Sequence, residues 1–121
     1  MRLTLHTDYA LRVLMFLAIE QGKLQTIETI AARYGVSRNH LMKVAQTLVQ
    51  AGLIVSSRGR HGGLRLASAP EALSLGTIVR ATEDGFALVE CFDTKRNKCV
   101  ISPVCGLRNP LQEALQAFLA V

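Results

Sequence analysis

Tryptophan is absent, aromatic residues make up 5% of the chain and proline occurs three times. A core without large rings has to be filled by Leu, Val, Ile and Ala, and that composition suits helices. Half of the residues are hydrophobic, yet no apolar run approaches the roughly 20 residues that cross a bilayer. Near the N-terminus only residues 13–19 are continuously apolar, and His6, Asp8 and Arg12 interrupt what precedes them. Neither a signal peptide nor a membrane partner is therefore expected, and the chain reads as cytoplasmic. Catalytic signatures are lacking too. None of the three histidines is paired with a nucleophile in a recognisable motif, and there is no phosphate-binding glycine loop, so an enzyme is not expected. Acidic residues are scarce in the first half. Residues 1–68 hold nine Lys/Arg against three Asp/Glu, whereas residues 69–121 hold five against six. A net +6 followed by a net −1 points to a polyanionic partner for the first half alone.

Cysteine is sparse and concentrated. Cys91, Cys99 and Cys105 are the only three, and they fall within fifteen residues. An odd number of thiols cannot be fully paired within one chain, and in a reducing compartment clustered thiols are more often metal ligands than disulfides.

The 121 residues suit a single, mainly α domain. Thr7 is expected to cap a first helix over residues 9–20, with Asp8 in its first turn. Ala10, Val13, Leu14 and Leu17 form its stripe. Leu11, Met15 and Phe16 leave little polar face, so burial on most sides is expected. Thr26 caps a second helix over 27–34 that Gly35 stops. Ser37 caps a third over 38–51, in which Leu41, Val44, Ala45, Leu48 and Val49 recur at helical spacing. Two helices joined by a Gly-Val turn make a helix-turn-helix. Residues 53–57 and 64–67 read as strands around the glycine-rich tip 58–63, which completes a winged helix-turn-helix with a two-stranded wing. Pro70 breaks the chain and Ser74 caps a short fourth helix over 75–82. Asn109 and Pro110 read as cap and first position of a last helix, with Leu111, Ala114, Leu115, Phe118 and Leu119 as its stripe. That helix reaches Val121 without a cap or a charged last turn, as though a natural tail were missing or the end unusual.

Two groups of residues carry chemistry. The first turns of the third helix offer Ser37, Arg38, Asn39, His40 and Lys43. Arginine takes guanine edges bidentately, asparagine takes adenine, and the free N–H groups of a helix start suit a phosphate. The wing tip adds Arg58, Arg60 and His61, and arginine favours the negative potential of a narrow minor groove. Double-stranded DNA is the expected partner. The second group is the thiols. Their spacing, C-x7-C-x5-C, excludes a C-x2-C zinc knuckle and the tightly spaced ferredoxin run, and it requires a loop that folds around its ligand. Lys95, Arg96 and Lys98 would offset thiolate charge. Spacing alone leaves zinc and iron–sulfur both open, with a fourth ligand from elsewhere.

The combination of Leu3-Thr4 and residues 7–12 (TDYALR), residues 34–40 (YGVSRNH), residues 58–66 (RGRHGGLRL) and the three cysteines resembles the Rrf-type family of winged-helix regulators. Within it, the chain is similar to the NsrR branch of nitric-oxide-sensing repressors. The resemblance implies a homodimer on a palindromic operator, with the cysteines holding an iron–sulfur cluster near the subunit interface. It divides the chain into a winged-helix region (1–83), a cluster-binding loop (84–106) and a shortened C-terminal dimerisation helix (107–121). In the branch that senses cluster supply, a histidine follows the third cysteine by three residues; here that place is Arg108. In the NsrR branch an aspartate from the partner subunit completes a 4Fe-4S cluster, in preference to 2Fe-2S, and Asp8 matches that position. Two readings stand beside this one: a regulator of the same family answering to oxygen, redox state or iron, and a zinc-stabilised DNA-binding or adaptor protein.

Overall fold

In the computed structural model, which describes residues 2–120, the chain divides into two compact units, residues 2–83 and residues from Asp84 onward. The first contains α1 (Leu5–Ile19), α2 (Ile27–Tyr34), α3 (Arg38–Gln50), β1 (Ile54–Ser57), β2 (Gly63–Leu66) and α4 (Leu75–Thr82). The expected fold class, mainly α with a winged helix-turn-helix, is the one observed.

The core of this unit is aliphatic. Ala10, Val13, Leu14 and Leu17 of α1 pack with Ile30 of α2, Leu41, Val44 and Leu48 of α3, Ile54 and Leu64 of the wing, and Ile78 of α4. The stripes expected for α1 and α3 are the buried faces, except that Val49 is 40% exposed. α1 is not covered on most sides, because Leu5, Met15 and Ile19 are exposed. Apolar character all round a helix records what it could bury, not what the rest of the chain supplies to cover it.

Caps explain the boundaries. Thr26, Ser37 and Ser74 accept from the N–H three residues ahead, and Gly35 closes α2 in the left-handed region with φ 63°. At α1 the expectation fails. The cap is Thr4, whose hydroxyl oxygen accepts from the Thr7 N–H at 3.3 Å, so the helix begins at Leu5 and Thr7 is fully buried inside it. Both threonines are chemically able to cap. Tertiary contact decides, because Thr4 is also held from α4's end, where Glu83 accepts from its N–H at 2.8 Å and its hydroxyl at 3.1 Å.

β1 and β2 pair antiparallel, Ile54 opposite Leu66 and Ser57 opposite Gly63, one residue from the expected boundaries. At the tip, a Cβ on Gly62 would lie 2.3 Å from the Ser57 carbonyl oxygen, so only glycine closes this hairpin. A third segment joins the wing. Gln25 bridges Leu64 through two backbone hydrogen bonds of 3.0 and 2.7 Å. Gly63 permits this, since a Cβ there would meet the Gln25 backbone at 2.9 Å.

The second unit holds two short 3-10 turns, Glu90–Phe92 and Ser102–Val104, and α5 (Arg108–Leu119). Asn109 does not cap α5: Leu107 occupies the cap position without a side-chain hydrogen bond, and Asn109 and Pro110 lie in the first turn. Proline is tolerated there because N–H groups of a first helical turn have no intrahelical acceptor. Leu115 is the buried residue of α5, while Ala114 and Phe118 are exposed. Met1 and Val121, the ends of the expected regions, lie outside the described residues.

Glu83 closes the first unit by joining the end of α4 to the start of α1. Burial alone would raise its pKa, but hydrogen bonds from Thr7 and Thr4 and the nearby His6 outweigh that and hold it below the ordinary carboxylate range. Glu83→Ala should lower the unfolding free energy by about 1 kcal/mol at neutral pH. A depressed folded-state pKa gives stability that is present above the unfolded pKa and lost as pH falls through the folded one. The difference in urea midpoint between wild type and variant should therefore shrink on acidification through and below the usual carboxylate range. A difference that stays constant would refute the charged clasp.

Candidate functional site

α2, the Gly35-Val36-Ser37 turn and α3 present the start of α3 outward. Ser37, Arg38, Asn39 and Lys43 are exposed, as are Arg58, Arg60 and His61 on the wing. The helix start and the wing tip are thus two exposed basic elements of one unit. His40 is placed differently. It is half-buried against α1, its ring edge-on to Tyr9 at 4.8 Å between centroids and stacked on His6 at 6.5 Å. His6 Nε2 lies 3.1 Å from Thr47 Oγ1 further along α3. Sequence reasoning misses this polar and aromatic seam between α1 and α3. Its members are far apart in the chain, and a lone histidine in a helix carries no signal of what it packs against.

Arg38 is not an isolated cation. Its Nε donates to Glu28 Oε1 of α2 at 2.5 Å, and this bond, with the N–H of Glu28 itself and the Thr26 hydroxyl, holds the Glu28 carboxyl below its ordinary pKa. The pair is ten residues apart across a turn, so no helical spacing announces it.

Asp8 lies in the first turn of α1 and is gripped by Arg12 four residues on, with Nε at 3.2 Å and Nη2 at 2.8 Å. Arg12 is steadied in turn: its guanidinium carbon lies 5.7 Å from the Tyr9 ring centroid, and its carbonyl accepts from Tyr34 Oη at 3.1 Å. Both partners are about 40% exposed, and a pair of that kind contributes only about 0.3–0.5 kcal/mol.

The cysteine segment is built from side-chain-to-backbone turns. Asp93 Oδ1 accepts from the Lys95 N–H at 3.0 Å, and Asn97 Oδ1 accepts from the Cys99 N–H at 3.0 Å. Asn97 also bonds Ser102, and Glu90 accepts from the Lys98 N–H. Asp and Asn two residues ahead of a bonded N–H is a turn signature visible in sequence, so Asp93 and Asn97 could have been read as turn formers. Cys91 lies within the first 3-10 turn, Cys99 follows the Asn97 turn, and Cys105 follows the second 3-10 turn. All three are free, half-buried thiols. Among the described residues no three His, Cys, Asp or Glu side chains converge closely enough to hold a metal ion. As a donor set, three reduced thiols in one polar, turn-built segment fit a thiophilic metal or an iron–sulfur cluster, whose binding would have to draw the segment around it.

A family model described as Rrf2, iron-dependent transcriptional regulator, matches residues 3–121. The chain belongs to the Rrf2 family of transcriptional regulators. The HTH-type transcriptional regulator NsrR of Bacillus subtilis is 57% identical over all of this chain and 84% of its own length. The NsrR of Bacillus licheniformis is 50% identical over all of this chain and 85% of its own length. Among solved structures, a candidate transcriptional regulator from Listeria innocua superposes with a TM-score of 0.76 at 28% identity, over 98% of this chain and 80% of that one. This Rrf2 chain is therefore an NsrR-like, DNA-binding winged-helix regulator. Among the described residues no helix is long and apolar enough to cross a membrane.

For the Rrf2 DNA surface, replacing a groove-entering arginine should cost about 1–3 kcal/mol. Arg60→Ala is expected to weaken binding to an operator recovered by selection from random duplexes, and to reduce its salt dependence. Titrations at fixed salt in which Arg38→Ala and Arg60→Ala both match wild type would remove this face from the contact surface.

Proposed function

We propose that this Rrf2 regulator is a cytoplasmic homodimeric repressor that senses nitric oxide through a 4Fe-4S cluster held by Cys91, Cys99, Cys105 and the partner subunit's Asp8. The observation that carries the reading is the set of three free, half-buried thiols within residues 91–105 of a chain so similar to the Bacillus NsrR proteins. When bound, the group supplies thiolate-held iron that is reactive toward a small diatomic molecule. The remaining roles fall to side chains. Glu90, Asp93 and Asn97 fix the backbone on which the thiols are carried. A carboxylate binds iron less tightly than a thiolate and leaves more readily, which suits a reactive fourth position. The Arg12 grip on Asp8 is exposed and weak enough to be exchanged for such a ligand. Arg108, exposed at the start of α5, replaces the histidine that the resemblance implies in the branch sensing cluster supply, which leaves the fourth position to Asp8 in this reading. The outward residues of α5, Ala114 and Phe118, support a role for that helix in the dimer seam.

In this reading two α3 helices enter successive major grooves of a palindromic operator, and each subunit's α1 completes the other's cluster site. Iron, sulfide and the visible spectrum after anaerobic purification test it, before and after nitric oxide. Coloured protein that releases operator on nitric oxide is the expected result. Release by oxygen or oxidants with indifference to nitric oxide would favour the redox-sensing alternative, and colourless protein with stoichiometric zinc would favour the zinc one.

Each of Cys91→Ala, Cys99→Ala and Cys105→Ala should lower iron and sulfide per chain. Full occupancy in any one variant would take that residue out of the ligand set. Asp8→Ala should leave a labile cluster. In mixed dimers that combine a subunit lacking all three cysteines with one lacking Asp8, one intact site forms if ligation crosses the interface. Lability equal to that of the Asp8→Ala homodimer would show that it does not.

A further inference from the structure

The pair between Glu28 and Arg38 joins two elements that the DNA reading treats separately. Arg38 is the first residue of α3, the helix offered to the major groove, and Glu28 is in the first turn of α2. The contact is made by Nε alone, and among the described residues Nη1 and Nη2 make no hydrogen bond. A guanidinium is planar and can present either its Nε/Nη2 side or its Nη1/Nη2 end to the two acceptors of a guanine. With Nε engaged, only the end-on fork remains. The carboxylate that engages it is itself steadied by the Thr26 hydroxyl and by its own N–H. Thr26, in turn, is fixed as the α2 cap, bonded to the Thr29 N–H at 3.1 Å.

We propose that Glu28 is a positioning residue for DNA recognition: it holds the Arg38 guanidinium so that its Nη1/Nη2 fork reads one guanine of the operator. The inference rests on the DNA-binding reading of α3. Glu28 contributes little to folding, since both side chains are more than half exposed. A carboxylate so close to a DNA-binding helix also repels phosphate. It would weaken DNA binding of every kind unless it does something for one kind in particular. Fixing Arg38 before contact removes rotamer freedom that would otherwise be lost on binding, and that benefit accrues only where a guanine is present.

The two effects of Glu28 have opposite signs, which makes the test sharp. Full chains of wild type, Glu28→Ala, Glu28→Gln and Arg38→Ala, purified anaerobically, are titrated at fixed salt. The probes are an operator recovered by selection from random duplexes and an unrelated duplex of equal length. Arg38→Ala should lose on the order of 10–100-fold on the operator. Glu28→Ala should bind the unrelated duplex more tightly, having lost a negative charge, yet lose several-fold on the operator, so the ratio of the two affinities falls by about tenfold or more. Glu28→Gln keeps an acceptor for Nε and should recover part of that ratio. Single-base substitutions in the operator should show Glu28→Ala and Arg38→Ala relaxing preference at the same G·C pair. If Glu28→Ala tightens both duplexes equally, Glu28 only repels DNA and the proposal is wrong. If it weakens both equally, its role is structural and the proposal is also wrong. If Arg38→Ala leaves operator binding untouched, Arg38 does not read the operator and the proposal is wrong, whatever the rest of α3 contacts. An impaired Arg38→Ala beside an unaltered Glu28→Ala overturns the positioning role alone.

Discussion

The structure depends on the packing of α1 against α3. Ala10, Val13, Leu14 and Leu17 meet Leu41, Val44 and Leu48, all buried and all aliphatic. With no tryptophan and few rings, interdigitated branched and small side chains have to supply the density of this interior. Cavities left by truncation at such sites typically cost about 2–5 kcal/mol, far more than any exposed ion pair in the molecule. The orientation of α3, the helix proposed to face DNA, is therefore set from beneath, by the apolar contact with α1.

Patterns of short range are legible in the amino-acid sequence. The stripes of α1 and α3, the caps Thr26, Ser37 and Ser74, the stop at Gly35 and the wing with its glycine tip all follow from period, capping chemistry and φ preference, which act within a few residues. What failed was decided over longer distances. Thr4 rather than Thr7 caps α1 because Glu83, some eighty residues away, accepts its hydrogen bonds. Asn109 is a good capping residue, but the chain entering α5 puts Leu107 at the cap. The outer face of α1 remains open because nothing among the described residues covers Leu5, Met15 and Ile19. For the site, exposed cations and clustered thiols can be named from residue type and spacing. Glu28 and the Tyr9–His40 contact cannot, since no periodicity links residue 28 to 38 or residue 9 to 40.

Consecutive residues of α1 serve different partners, and this constrains how a signal could reach DNA. Helical geometry turns successive side chains by about 100°. Asp8 therefore faces solvent and Arg12, while Tyr9 lies against His40 and His6 approaches Thr47. On the proposed ligation, whatever holds or releases Asp8 acts on the same helical turn that abuts the DNA-facing helix. A ligand shifts a conformational equilibrium only by its difference in affinity for the two states. Here that difference would arise because a ligated carboxylate cannot also satisfy Arg12 with the same geometry.

The aliphatic core argues against a smooth bending of α1 in response. Close-packed interiors resist continuous deformation and favour discrete rearrangements at their edges. The polar part of the α1–α3 contact is the end where His6, Tyr9, His40 and Thr47 meet through one hydrogen bond and ring contacts. The Leu17 end is locked by apolar packing. On the proposed ligation, a change at Asp8 would be applied at this polar end of the contact, close to the first turn of α3 that carries Arg38, Asn39 and His40. Coupling through that end would alter how these candidate DNA contacts are presented while leaving the fold intact. That is the physical requirement for a regulator that must let go of DNA without unfolding.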